Sequence, residues 1–451
     1  MRLLVLVALL VACKPKEVPY KPPPKDDAPA KPIDAPPEPD AGAPPPETKA
    51  QKVVVGDHTS CALMADATVS CWGRNNEGQL GNGTTNDSAT PTTVKLHAVK
   101  DIVMGASHVC ALLDDESVTC WGRIYFGRKE NLLSPTAVPG VAKAKRLFAV
   151  ASASCATLED HSLVCWGDIN AAGHLKLSGG SMNRVPTPSN GLDHIAAVTA
   201  NGALAEDGTV WFWDASGRPQ KTAMTNVIEI ASSGDEVCGL RRDGSVACAG
   251  PATRCAAAAP KTPKPAPKAA PKPAPKKAPA KKPAAKQTAK KTPKGKPAAK
   301  PAAKPAAPKP EETAAKGMPI EVLRLPAAKH LAFDVGLCVV TKTGKLECLA
   351  PKDGCTVDTP WPGLASVDYV TGNCARITDG SARCWAVDTK SRLVTAIAGV
   401  GAALSIAASP SHACAVLGDR SVVCWGSNKS GALGRGKIDE QRHSEASAVT
   451  F

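Results

Sequence analysis

The chain has 451 residues, seventeen cysteines and a formal net charge of +14, with 43% hydrophobic and only 4% aromatic residues. Its basicity sits almost entirely in residues 256–316, where seventeen Lys face only Glu311 and Glu312, a net of +15 that leaves the remainder at −1. A body that is basic over its whole surface is thereby excluded, and any pull on polyanions belongs to one tract.

Residues 1–12 begin Met-Arg and continue with Leu, Val and Ala only, ending Leu10-Val11-Ala12 before Cys13. A charged start, a short apolar stretch and small residues before the break read as an export signal, too short to span a bilayer as a helix. Leu-Val-Ala-Cys is similar to the bacterial lipobox, which implies cleavage before Cys13 and acylation of that cysteine. The expected location is the cell envelope, on the outer membrane and facing either side of it. Residues 13–51 then hold thirteen prolines and few apolar side chains, so they read as a disordered, polyproline-like tether.

From residue 52 the text repeats. Seven cysteine pairs stand ten residues apart: Cys61 with Cys71, Cys110 with Cys120, Cys155 with Cys165, Cys238 with Cys248, Cys338 with Cys348, Cys374 with Cys384, and Cys414 with Cys424. An eighth copy carries Gly202 and Phe212 at the two positions, so both cysteines are lost together, as disulfide partners would be. Zinc ligands favour a spacing of two to four residues, which argues against metal or redox pairs. The odd separation predicts a hairpin with a three-residue loop, such as Arg242-Asp243-Gly244, whose last residue needs positive φ. Gly208, Gly244, Gly344 and Gly380 fall there, and Leu63 is expected opposite Val69. Paired cysteines would then lie about 4.5–5.5 Å apart at Cα, close enough to bridge. Removing Cys13 leaves sixteen cysteines, an even number that suits an oxidising compartment. Eight small hairpins, none able to bury its own face, predict a propeller of small blades.

The repeated text resembles the regulator of chromosome condensation repeat. The likeness lies in Gly105-Ala106-Ser107-His108-Val109-Cys110-Ala111-Leu112 with Cys120-Trp121-Gly122, and again in His412-Ala413-Cys414-Ala415-Val416 with Cys424-Trp425-Gly426. Asn75-Asn76-Glu77-Gly78-Gln79-Leu80-Gly81 adds a glycine-rich connection, echoed by Asn428-Lys429-Ser430-Gly431-Ala432-Leu433-Gly434. The resemblance implies an all-β propeller, usually of seven blades, whereas the hairpin count gives eight. It also implies action by binding, since relatives work through propeller faces as exchange factors, chromatin binders or inhibitors of extracellular enzymes. The final Ala448-Val449-Thr450-Phe451 is strand-like and is expected beside Val53-Val54-Val55, closing the ring.

The propeller is therefore expected in two parts, 52–255 and 317–451, around a disordered insertion at 256–316. Lysines such as Lys276, Lys277, Lys281, Lys282, Lys290 and Lys291 lack interleaved aromatics, so they offer salt-sensitive, sequence-blind attraction and no specific nucleic-acid readout. Cys255 and Cys355 each stand seven residues after the second cysteine of their copy, where a mutual bridge would staple the insertion if neighbouring blades bring them close. Trp72, Trp121, Trp166, Trp385 and Trp425 read as packing between blades, with Trp211 and Trp361 as candidates for exposed contact. His58, His108 and His412 precede a first cysteine, where turn or strand hydrogen bonding is favoured over metal or acid–base work. No nucleophile motif, phosphate loop, cofactor signature or metal triad stands out. The leading expectation is an envelope-anchored module binding a protein or glycan. The alternatives are adhesion to lipopolysaccharide, wall polymer or extracellular DNA through the lysines, and a propeller lyase or hydrolase.

Overall fold

The computed structural model describes residues 49–124, 130–167, 183–213, 219–233, 236–250, 321–323, 325–333, 336–349, 361, 363–385 and 393–451. Its named elements are all β-strands, in eight antiparallel sheets, seven of four strands and one of three. In chain order these are blades 1 to 8, spanning 50–93, 99–137, 144–193, 195–221, 227–322, 328–348, 367–396 and 403–448. Their first strands are Ala50–Val55, Val99–Met104, Ala144–Val150, Ile195–Thr199, Val227–Ser233, Ala328–Phe333, Val367–Thr371 and Ala403–Ala408. Each touches the next, and that of blade 1 also touches that of blade 8. Eight hairpins therefore make an eight-blade ring, and the seven-blade alternative falls away. Blade 5 takes its fourth strand, Glu321–Val322, from beyond the lysine tract, so the tract interrupts a blade rather than separating two.

Strand order within every sheet is chain order, so no strand is exchanged to close the ring. The expectation that residues 448–451 lie beside Val53-Val54-Val55 is corrected. Those valines pair with Ser60–Ala62 of their own blade, while Arg442–Ala448 pairs with the third strand of blade 8. Closure is made by side chains instead. Val449 is buried with Val53, Trp72 and Leu433, and Phe451 meets Trp72 edge-on at 5.7 Å.

The hairpins have the expected register: Cys61 faces Cys71 and Leu63 faces Val69. Every cysteine pair of the repeat is bonded within its own blade. The bridges join Cys61 to Cys71, Cys110 to Cys120, Cys155 to Cys165, Cys238 to Cys248, Cys338 to Cys348, Cys374 to Cys384 and Cys414 to Cys424. Their Cα atoms lie 3.9–4.1 Å apart, nearer than the hairpin spacing expected from sequence. In blade 4, Gly202 faces Phe212. The three-residue loop is present too, since Arg241 donates to Ser245 O at 2.8 Å and Gly244 donates to Arg241 O at 2.9 Å. A central Asp accepts the backbone N–H two residues on, as in Asp115–Ser117 and Asp379–Ser381, which is the Asx turn such residues favour.

The last loop residue has positive φ in every blade, at Gly208, Gly244, Gly344 and Gly380 but also at Ala67, Glu116, His161 and Arg420. The reason lies in the next blade. Each of these residues turns its carbonyl toward a neighbour, which donates a backbone N–H at the start of its first strand. The donors are Val99 to Ala67, Ala144 to Glu116, His194 to His161, Val227 to Gly208, Ala328 to Gly244, Val367 to Gly344, Ala403 to Gly380 and Ala50 to Arg420, at 2.8–3.3 Å. The last of these joins blade 8 to blade 1 and completes the circle.

A Cβ on Gly380 would fall 2.5 Å from Ala402 Cα, in a conformation that L-residues resist. Gly380→Ala is expected to lower stability by about 1–3 kcal/mol. Ala67→Gly, which relieves a left-handed Ala, should be neutral or stabilising. Urea midpoints of the two variants against the parent check the opposite signs.

Candidate functional site

Three devices join the blades edge to edge. The first is the tryptophan after the second cysteine. Trp121 of blade 2 donates to Gln79 O at 2.8 Å and Trp72 of blade 1 donates to Ala432 O at 2.9 Å. Both carbonyls belong to the glycine-rich connections of the preceding blades, where a Cβ on Gly81 or Gly434 would strike the indole at 2.9 or 3.0 Å. Trp213 fills the same place in blade 4, although its hairpin lacks the cysteines, and is fully buried. Trp211 and Trp361 are not exposed contacts. Both are half-buried against core clusters, and Trp361 lies 5.6 Å from the ring of Trp385.

The second device is a single buried Asn that shapes each glycine-rich connection. Asn75 donates to the carbonyls of Thr84 and Asn86 and accepts from Leu80 N–H; Asn428 donates to Lys437 O and accepts from Leu433 N–H. The sequence carries the signal, since both connections open with Asn five residues before the Leu, but the role shows only in the bonds. The third device joins histidine to serine. His108 Nε2 lies 2.8 Å from Ser154 Oγ of blade 3, and His412 Nε2 lies 2.7 Å from Ser60 Oγ of blade 1. Both imidazoles are buried, and burial pushes them down to about 4 and about 3 from the ordinary 6.5. Turn or strand hydrogen bonding is expected of these histidines, and the bonds found run between blades instead. His58 stands one position earlier than the other two and is half-buried beside Asp57.

The first strands of blades 1 to 4, 7 and 8 line a cavity of about 370 Å³, with side chains such as Val54, Val103, Met104, Phe148, Val198, Lys52 and Thr371. One mouth is set by a bulge that recurs in all eight blades, where the first strand slips register after its first residue. Bulges re-aim side chains at rims, and the residues at this one differ from blade to blade. Blades 1 to 4 carry charge: Lys52 pairs with Asp101 at 2.7 Å, Lys145 with Glu116 at 2.5 Å, and Arg146 with Glu206 at 3.8 Å. Blades 5, 7 and 8 carry Ile228, Tyr369 and Leu404, which remain 48%, 39% and 46% exposed, while blade 6 carries Lys329 and His330. Polar contacts run between these blades. Glu229 holds His330 at 2.6 Å, whose ring lies 4.7 Å from that of Tyr369; Asp368 holds Arg376, which donates to Leu404 O. Burial, and next the Glu229 charge, raise the Tyr369 hydroxyl above its usual range. Sequence reading misses this mouth, because only the bulge brings its residues together.

Among the described residues, one group of three has metal-ligand atoms close together, Glu236 with Cys238 and Cys248, and its cysteines are bonded to each other. No helix there is long and apolar enough to cross a membrane. Cys13, Cys255, Cys355 and the tract lysines, Lys276, Lys277, Lys281, Lys282, Lys290 and Lys291 among them, lie outside the described residues.

The regulator of chromosome condensation (RCC1) repeat matches residues 66–112, and a second form of it matches 50–79, 99–128 and 404–432. These segments belong to blades 1, 2 and 8, which hold the glycine-rich connections and the buried histidines. No curated protein matches the chain. Among solved structures, Prp20p of Saccharomyces cerevisiae, described with its binding to Gsp1p and histones, is 16% identical over 89% of this chain and 76% of its own, at a TM-score of 0.39. Human WBSCR16 is 14% identical over 85% and 94%, at 0.48. PorZ of Porphyromonas gingivalis, a surface component of the type-IX secretion system, is 10% identical over 87% and 38%, at 0.35.

Histidines whose folded pKa is depressed stabilise fully above 6.5 and lose that contribution as pH falls. Stability is therefore expected to drop on acidification from 6.5 toward about 4 for His108 and about 3 for His412. Each contributes a slope of at most about 1.4 kcal/mol per pH unit. The double variant His108→Gln, His412→Gln should be less stable at pH 7 and flatter between pH 6.5 and 4, read from urea midpoints across pH.

Proposed function

We propose that this chain, a disulfide-rich propeller of regulator of chromosome condensation repeats, is a non-catalytic binding module that grips a protein partner at one mouth of its ring. The observation that carries this reading is the arc of Ile228, Tyr369 and Leu404. Three of the six large hydrophobic side chains left exposed among the described residues gather there, on rigid strands. Exposed aromatic and aliphatic groups on a fixed frame are what a protein interface uses as anchors, and the neighbouring charges supply a polar rim. The carboxylate and imidazole groups at the mouth are taken up in bracing between blades, and the Ser–His pairs are sealed from solvent.

Seven disulfides suit an oxidising compartment. With the signal at 1–12, they support export, acylation at Cys13 and display in the cell envelope on the tether 13–51. A glycan is the second class of partner that aromatic Tyr369 could stack against. The lysine tract supports a separate reading, adhesion to envelope or extracellular polyanions.

Capture from envelope extract separates the readings, using the mature chain, a chain lacking 256–316, and a triple Ile228→Ser, Tyr369→Ser, Leu404→Ser variant. The mouth reading expects one partner recovered with and without the tract, retained as salt rises, and lost from the triple variant. Loss on tract deletion, together with loss at raised salt, would transfer binding to the lysines.

A further inference from the structure

We propose that the hairpin turns of blades 5 and 6 form a docking surface for an acidic peptide segment of a protein partner, one that also carries aliphatic side chains. The proposal rests on binding at the mouth of the ring and adds the partner's charge. Residues 241–245 and 341–345, with the bulge residue Lys329, hold five cations against Asp243 alone, a net of +4.

The eight turns share one register, so their differences in charge can be compared place by place. Arg241 faces Val227 where six other blades carry an apolar residue, Leu113 and Ile377 among them. Its Nε is buried and finds no hydrogen-bond partner among the described residues, so packing does not account for the charge. The next place is acidic in blades 2 to 4, as Asp114, Glu159 and Glu206, and basic in blades 5 and 6, as Arg242 and Lys342. The central Asp of the other seven turns is replaced in blade 6 by Thr343, and the Ser or Thr two places on by Lys345. There Thr341 Oγ1 accepts the Lys345 N–H at 3.0 Å, so the turn is closed without a carboxylate.

The seam between the two blades brings these cations together. Ala328 N–H donates to Gly244 O at 2.8 Å, which sets Lys329, the next residue, beside the blade 5 turn. Lys342 N–H donates to Ala327 O at 3.0 Å, and its Nζ reaches Asp243 O at 3.4 Å. Arg242 N–H donates to Asn226 O at 2.9 Å, two residues before the exposed Ile228. Arg242, Lys329, Lys342 and Lys345 are all exposed, and the Asp243 carboxylate is taken up by Ser245 N–H at 2.8 Å. Lys52, Lys145 and Arg146 at the same mouth each have a carboxylate partner, whereas none of these five forms an ion pair among the described residues. A cluster of cations without local counter-charge draws in carboxylates, and Arg can hold one through two hydrogen bonds. Ile228 at its edge adds an apolar contact, which favours an acidic peptide with aliphatic groups over a bare polyanion.

The test uses the full chain and a synthetic peptide of alternating Glu and Leu with one photoreactive residue. Mass spectrometry locates the adducts, so the hairpins are told apart from the lysine tract. Adducts are expected on residues 238–249 and 338–348, and not with a peptide in which Gln replaces every Glu. The charge variant Arg242→Glu, Lys342→Glu, Lys345→Ser takes residue types that other blades carry at these places, so the turns keep their form, as an unchanged urea midpoint checks. It should lower peptide affinity at the hairpins by more than about 10-fold, and Ile228→Ser by less. The proposal is overturned if adducts avoid these hairpins or persist undiminished in the charge variant. It is overturned equally if a peptide of Glu and Gly binds as well and Ile228→Ser changes nothing, which would give the patch to polyanions. Loss of the captured partner from the Ile228→Ser, Tyr369→Ser, Leu404→Ser variant but not from the charge variant would sink this proposal and leave binding at the mouth standing.

Discussion

The ring rests on eight backbone hydrogen bonds, each from the start of one blade to the hairpin turn of the blade before. A turn can offer that carbonyl only when its last residue is left-handed, and this one requirement reaches far into the sequence. It explains the four glycines, and it explains why Ala67, Glu116, His161 and Arg420 hold the same conformation against their preference. Strain of this kind persists only where the surroundings over-determine it. The Asx bond in seven of the turns and the disulfide below seven of them supply that rigidity, so the covalent bridge within a blade serves the non-covalent joint between blades. The cysteine-free blade 4 keeps both Gly208 and the burial of Trp213, the two parts of the joint that cysteine does not provide.

Blades are not cemented alike. The seam between blades 8 and 1 has the full set, an indole on the carbonyl of an Asn-shaped connection and a histidine bonded across; the seam from 1 to 2 has the indole and that from 2 to 3 the histidine. The repeat match falls on blades 1, 2 and 8. Blades 5 and 6 lack the tryptophan at this place, and blade 5 is interrupted by the lysine tract. Their bracing moves to the mouth, where Glu229, His330 and Tyr369 run from blade 5 to blade 7. A ring that needs less packing between its later blades can leave Ile228, Tyr369 and Leu404 facing solvent.

How much of this the sequence discloses follows from how far apart the partners lie. The parity of the cysteine spacing, the turn glycines and the pairing of Leu63 with Val69 are local, so the hairpins and their register are readable directly. Ring size is readable only as a count, and the closing contact is misplaced in text because Val449 and Phe451 act through side chains rather than as a strand. His58 resembles His108 and His412 in text, yet it sits one residue earlier and so misses the seam. The mouth is invisible in text, since the bulge that aims Ile228, Tyr369 and Leu404 leaves no fixed residue type.

The same spacing of constraints separates fold from function in this chain. Every position that the eightfold circle dictates is buried, left-handed or bridged, and none is free to encode a partner. The bulge residues are the opposite case: their backbone is fixed by the circle, while their side chains point out of it and answer to no packing rule. The residue skipped at the bulge is Lys100, Ile228, Lys329 or Leu404 in blades 2, 5, 6 and 8, and the residue after it is Lys52, Arg146, His330 or Tyr369 in blades 1, 3, 6 and 7, so neither place keeps one chemistry. Repetition in the frame and divergence at the rim are what a scaffold needs when rigidity must be kept and specificity must be free to change. The mixture at the mouth, ion pairs in both halves of the ring with exposed Ile228, Tyr369 and Leu404 added in blades 5, 7 and 8, therefore defines how a partner would be oriented on a ring whose backbone repeats eight times.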